Sequence, residues 1–214
     1  MTLRGGIALL SVLLLVVITR ADELDATGTV LVTCSSVVKL QHDRLKNVLH
    51  SHEVAYGYGR GSGQQSVTGF PGKDSAESFW VVKTEEGVPC LQGTPIKSGT
   101  RVRLQHQSTR KWLHSHQYSS PLSGSQEISC FGSDHESDTG DVWVVEWDGK
   151  AKLWERDLAV RFKHVDTGVY LATHDVKYQR PIPGHTEVFG GKKRDAQTVW
   201  RATEGVYFPV RQES

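Results

Sequence analysis

The chain has 214 residues, of which 37% are hydrophobic, and a formal net charge of +1 with its ten histidines neutral. That is enough apolar material for one or two cored domains, and too much for a disordered chain. The near balance of 25 basic and 24 acidic residues excludes a strongly basic nucleic-acid binder and electrostatic membrane docking.

Residues 1–21 read as a secretory signal peptide. Arg4 supplies a positive start, Ile7 to Ile18 is apolar except for Ser11, and Thr19-Arg20-Ala21 offers small residues ahead of a cleavage site. About a dozen apolar residues falls short of the roughly 20 that a membrane-spanning helix needs. Arg4 and Arg20 leave with this segment, so the mature charge becomes −1. No later stretch is apolar enough to span a bilayer, and a soluble protein of the secretory pathway is expected.

Beyond the leader the chain repeats itself three times. The units open on Val37-Val38-Lys39-Leu40-Gln41-His42, Val102-Arg103-Leu104-Gln105-His106 and Val160-Arg161-Phe162-Lys163-His164. Leu49-His50-Ser51-His52, Leu113-His114-Ser115-His116 and Leu171-Ala172-Thr173-His174 follow, and each unit closes on a tryptophan, Trp80, Trp143 or Trp200. A fixed period of this kind governs the whole fold assignment. The units cover residues 31–85, 93–148 and 150–204, which leaves no room for a separate catalytic domain.

Within a unit the grammar is that of β-structure. Val38, Leu40 and His42 alternate with Lys39 and Gln41, and Val102, Leu104 and His106 do the same with Arg103 and Gln105. Such alternation marks a half-buried strand. A short turn leads to the Leu-x-x-His strand, a long Gly-, Pro- and Ser-rich connection leads to a third strand, and the tryptophan strand ends the unit. Four strands in each of three units, with no sustained helical period, predict an all-β fold. A barrel with a cap of hairpins leaves no sheet edge open, and the expected architecture is a β-trefoil of three four-stranded repeats. Trp80, Trp143 and Trp200, with His42, His106 and His164, are its expected structural residues.

Cys34 precedes the first unit's strands and Cys90 follows them, which favours a Cys34–Cys90 disulfide over three unrelated buried thiols. Cys130 corresponds to Gly69 and Gly190, so a buried free thiol is expected there. Asn47 precedes Val48-Leu49, and no N-linked sugar is expected.

The histidine pairs His50/His52 and His114/His116 are spaced to point the same way from a strand, and neutral imidazoles bind zinc. The third unit has Ala172 instead of the first histidine, so the repeat favours a structural role over a metal site or a pH sensor. The Gly57–Gly63 run precedes no helix and lacks phosphate-loop context. Glu127 and Glu187 are equivalent, but Ser66 is the third counterpart, which argues against a carboxylate-pair hydrolase. An enzyme is not expected, nor is a cofactor.

The segments His50-Ser51-His52, Gly61-Ser62-Gly63-Gln64-Gln65-Ser66-Val67-Thr68-Gly69, Arg110-Lys111-Trp112-Leu113-His114-Ser115-His116 and Glu204-Gly205-Val206-Tyr207 resemble the stromal cell-derived factor 2 family, and the three units resemble MIR repeats. The resemblance covers nearly the whole mature chain. It implies a protein of the endoplasmic reticulum lumen that joins the chaperone BiP and a J-domain co-chaperone in quality control of misfolded secretory proteins. The chain ends Val210-Arg211-Gln212-Glu213-Ser214 without a retrieval tetrapeptide. Retention through a partner, or partial secretion, is therefore expected.

Two binding classes stay open. A chaperone accessory would meet non-native polypeptide through exposed residues such as Tyr56, Tyr58, Phe70, Tyr118 and Tyr178. A lectin-like module, or an accessory to protein O-mannosylation, would stack mannose-type glycans on Tyr56, Tyr118 and Tyr178. Packing of these tyrosines against the barrel is the plainer alternative.

Overall fold

A computed structural model describes residues 28–57 and 61–211. The expected signal peptide, Tyr58 and the last three residues lie outside the described residues. Twelve strands follow in order: β1 (Val37–His42), β2 (Val48–Ala55), β3 (Gln65–Phe70), β4 (Phe79–Thr84), β5 (Arg101–His106), β6 (Trp112–Ser119), β7 (Gln126–Phe131), β8 (Trp143–Glu146), β9 (Arg161–His164), β10 (Tyr170–Lys177), β11 (Thr186–Gly191) and β12 (Trp200–Val206). One 3-10 turn precedes each of β4, β8 and β12.

The all-β expectation holds, but the β-trefoil of three four-stranded repeats is corrected to a closed antiparallel β-barrel. All twelve strands join one sheet, and pairing ignores the unit boundaries. The opening strand β1 pairs with β12 at Leu40↔Ala202 and, beyond a register shift, at Val37↔Val206, as well as with β4 of its own unit. Strand β4 pairs with β5 and β8 with β9, each across a boundary. A Val160↔Trp200 bridge completes the circuit. Strands β3, β7 and β11 each pair with the other two. A local period reveals which residues form strands; which edges they satisfy is a non-local outcome of closing the sheet.

The core runs through the barrel. Val38, Leu40, Trp80, Val102, Leu104, Trp143, Phe162 and Trp200 are fully buried. Each closing tryptophan donates its indole N–H to the backbone of its own second strand: Trp80 to Leu49 O at 3.0 Å, Trp143 to Leu113 O at 2.9 Å and Trp200 to Leu171 O at 2.9 Å. This satisfies the one polar atom that burying an indole would otherwise orphan.

Each opening histidine is buried beside a tryptophan, with ring centroids 4.8–5.2 Å apart. Nε2 of His42, His106 and His164 donates to Ala196 O, Glu77 O and Gly140 O at 3.1, 3.0 and 2.9 Å. Nδ1 accepts from Leu45 N in His42 and lies 2.9 and 2.8 Å from Thr109 and Thr167 Oγ1 in the other two. The rings therefore bind strand to turn as neutral imidazoles, and burial holds each pKa below the usual histidine value.

Two outward positions of the alternation are buried. Lys39 ion-pairs with Glu204 at 2.7 Å and lies over the Phe79 ring, while Gln105 bonds Arg110 O and Asp134. Neighbouring strands on both sides close over them, and long side chains reach partners there. Cys34 and Cys90 form a disulfide, with Cα atoms 5.6 Å apart, and Cys130 is free and buried.

Candidate functional site

The hairpins β2–β3, β6–β7 and β10–β11 carry the residues for which a binding role was considered. They also carry most of the polar chemistry outside the barrel.

Two of the five aromatic candidates point inward, so for them the packing alternative holds and the exposed-ring reading is corrected. Tyr56 and Tyr178 pack with Ile182 and Val54, and both are buried. The Tyr56 hydroxyl sits 2.9 Å from Val67 O and 3.0 Å from Ile128 O and accepts from Val67 N. Burial raises the pKa of both phenols. The long connection folds its tyrosine into the gap between hairpins because the ring's apolar area gains more from burial than from water. Phe70 stands against His50 and His185 at 5.1 and 5.2 Å. Tyr118 is 56% exposed, with its ring 4.8 Å from His116.

The histidine pairs serve separate turns. His50 Nδ1 lies 3.0 Å from Ser78 Oγ, and His114 Nδ1 lies 2.9 Å from Asp141 Oδ1, each at a 3-10 turn of its own unit. His114, Asp138 and Asp141 could together offer three metal-ligand atoms. Their oxygens are already used by the chain: Asp138 caps Gly140 N at 2.8 Å, and Asp141 accepts from Ser137 Oγ and Asp138 N at 2.8 Å. That capping box orders the turn without a cation.

His50, His52 and His185 gather with ring centroids 5.1–5.8 Å apart. Burial, followed by the charges of His185, His52 and His106, pulls His50 down to about 3. His52 and His185 are also lowered, chiefly by burial.

Two residues escaped the sequence reading in their actual role. Glu127 and Glu187 are fully buried and latch loops of the preceding unit. Glu127 accepts from Ser62 N and His116 Nε2, both at 3.0 Å. Glu187 accepts from Leu122 N and His174 Nε2, both at 2.9 Å. Their recurrence at one position of the period was the available signal; the loop amides they bind carry no sequence mark.

Two clefts open between hairpins. One of about 510 Å³ lies between the first and second units, beside Gln65, Thr109 and Phe131. The other, of about 590 Å³, lies between the second and third, beside Tyr118, Phe189 and Gly191. Among the described residues no helix is long and apolar enough to cross a membrane.

A family model for the MIR domain matches residues 47–179. The chain is similar to a stromal cell-derived factor 2-like protein of Arabidopsis thaliana, with 51% identity over 86% of this chain and 83% of that protein. A crystal structure of the SDF2-like protein from Arabidopsis thaliana superposes with a TM-score of 0.83 at 51% identity, covering 86% of this chain and all of that one. A third similarity is to the S. cerevisiae protein O-mannosyltransferase Pmt1-Pmt2 complex bound to the sugar donor. There the TM-score is 0.74 and the identity 27%, over 87% of this chain and 28% of the other.

Proposed function

The chain belongs to the stromal cell-derived factor 2 family, and on that premise we propose that it is an accessory of a chaperone complex in the endoplasmic reticulum lumen. Membership of this family supports a non-enzymatic role and a place in the secretory pathway. In the proposed role it would join BiP and a J-domain co-chaperone and assist quality control of misfolded secretory polypeptides. The units 31–85, 93–148 and 150–204 would act together as one body.

The carrying observation is a set of exposed apolar side chains on β6, the β6–β7 connection and β10. Tyr118, Leu122 and Val176 are all exposed. Leu122 N donates to Glu187, Glu187 accepts from His174, and His174 Nδ1 accepts from Val176 N at 3.0 Å. One buried carboxylate thus fixes Leu122 and Val176 to the same rigid frame. Apolar groups held out by a rigid frame suit contact with a partner protein or a non-native chain. A second reading, service to protein O-mannosylation, is favoured by the similarity to the O-mannosyltransferase structure.

Mild crosslinking and pull-down of the tagged protein, with mass spectrometry of its companions, decides between them. Recovery of BiP and a J-domain protein, unaffected by added mannose, is the expected result. Glycoproteins released by mannose would overturn the chaperone reading.

A further inference from the structure

The third unit departs from the other two at a pair of facing positions. Strands β2 and β6 carry His50 and His114 where β10 carries Ala172, and β3 and β7 carry Phe70 and Phe131 where β11 carries Gly191. In the first two units these rings stack, with centroids 5.1 and 4.9 Å apart. In the third, a Cβ built on Gly191 would come 3.1 Å from the Ala172 Cβ, so two small residues meet where the ring pair would stand. The 590 Å³ cleft lies on this spot. The counterpart beside Phe131, where the ring pair stands, is the cleft of about 510 Å³, so the two small residues change the lining of this one rather than create it.

The walls carry groups of a particular chemistry. Tyr118 stands at the rim with its ring held by His116 at 4.8 Å, so a flat apolar face is preset. Asp195, Gln197, Lys192 and Lys193 also line the cleft; Asp195 Oδ1 caps Gln197 N at 2.9 Å, and the two lysines carry no ion pair among the described residues. Phe189 lines it as well, its ring 4.8 Å from that of His174. Strand β11 is hydrogen-bonded to β10, β3 and β7, and β6 to β5 and β7, so neither wall offers an open edge to a strand-adding peptide.

We propose that this cleft is a saccharide site, taking a hexose whose apolar face lies on Tyr118 while its hydroxyls bond Asp195, Gln197 and the two lysines. A cleft of this volume falls within the range of small-molecule sites and admits a short oligosaccharide. An aromatic face beside a carboxylate and an amide suits a ligand with one C–H face and a rim of hydroxyls. The site shares Tyr118 with the exposed surface of the chaperone reading, but it stands whether or not BiP is recovered.

The test is an NMR titration of the mature protein with mannose, glucose and galactose disaccharides. At least one should give saturable shifts at Gly190, Gly191 and Lys192. Gly191→Phe, which restores the ring of the other two units, should weaken binding at least tenfold. Tyr118→Ala, at an exposed rim position that leaves the core intact, should do the same and covers the case in which Gly191→Phe misfolds. Absence of shifts with all three sugars, or undiminished binding by both variants, would overturn the proposal. An acidic peptide that bound in place of the sugars would do so as well. Pull-down of Gly191→Phe, a position outside the exposed set Tyr118, Leu122 and Val176, separates this outcome from the chaperone reading, because loss of sugar binding there leaves companion recovery unchanged.

Discussion

The Glu127 carboxylate accepts the Ser62 backbone N–H at 3.0 Å, tying the second unit's β7 to the loop of the first. Glu187 repeats the arrangement with Leu122 N and Ser123 N of the second unit. At the third corner the acceptor and the donor are deleted together. Ser66 stands where the other units have glutamate, and Pro183, which has no N–H, stands where they have Ser62 and Ser123. Ser66 Oγ and His52 Nδ1 are left buried without a hydrogen-bond partner.

This difference sets the first prediction. Glu127→Ala would leave the Ser62 amide and His116 without their buried acceptor, and removing one partner of such a hydrogen-bonded set costs about 1–3 kcal/mol. Ser66→Ala removes an unbonded hydroxyl, so its effect should be neutral or slightly stabilising. Urea denaturation of both variants checks the contrast. Equal effects would show that Glu127 is not a latch.

Stability should fall as the solution is acidified below neutrality. His42, His50, His106 and His164 all have pKa values below 6.5 in the folded protein, mainly because burial disfavours the charged ring. Unfolded, they titrate near 6.5, so the unfolded chain takes up protons first. Their stabilisation is complete above that pH and is lost as pH falls through 6.5 toward the folded values, about 3 for His50. Each such histidine contributes a slope of about 1.4 kcal/mol per pH unit in that window. Urea midpoints at neutral and mildly acidic pH should show the decline, and His50→Gln should reduce its slope. A flat profile would contradict the neutral, buried assignment.

Much of this architecture was legible from the period alone. The strand positions, the three tryptophans and the cysteine pair follow from alternation and spacing, because each reports a local demand. What stayed hidden was non-local. The pairing of Leu40 with Ala202 has no local signature, so a single β-trefoil of three four-stranded repeats was expected where one antiparallel sheet closes across the units. Tyr56 and Tyr178 looked like surface rings because their connections are polar, yet both rings turn into the gap between hairpins. The cleft at Gly191 was invisible for another reason: Gly191 and Ala172 become informative only once β10 and β11 are paired.

The two kinds of cysteine should behave oppositely. Reducing the Cys34–Cys90 bond, which spans 56 residues, should cost about 4 kcal/mol by the loop-entropy relation. Cys130 is buried, its Sγ donates to Ser51 Oγ at 3.3 Å, and burial pushes its thiol up to about 12. Maleimide should therefore leave the native, oxidised protein unlabelled and modify one thiol after unfolding in urea. Rapid native labelling would mean that the hairpins around Cys130 open readily.

Truncating one closing tryptophan tests whether the barrel is a single cooperative body. Trp143 is fully buried, bonds Leu113 O at 2.9 Å and packs on His164 of the next unit at 4.8 Å. Trp143→Ala should cost about 3–5 kcal/mol, as large-to-small core changes do. The cavity borders β8, whose partners β5 and β9 both lead on around the ring. The loss should therefore spread to every strand. Hydrogen exchange should show amides of β1 and β12 losing protection together with those of β8, and denaturation should keep one transition at a lower midpoint. If exchange rose only in residues 93–148 while the first and third units kept their protection, each unit would be its own folding entity and closure of the sheet would contribute little to stability.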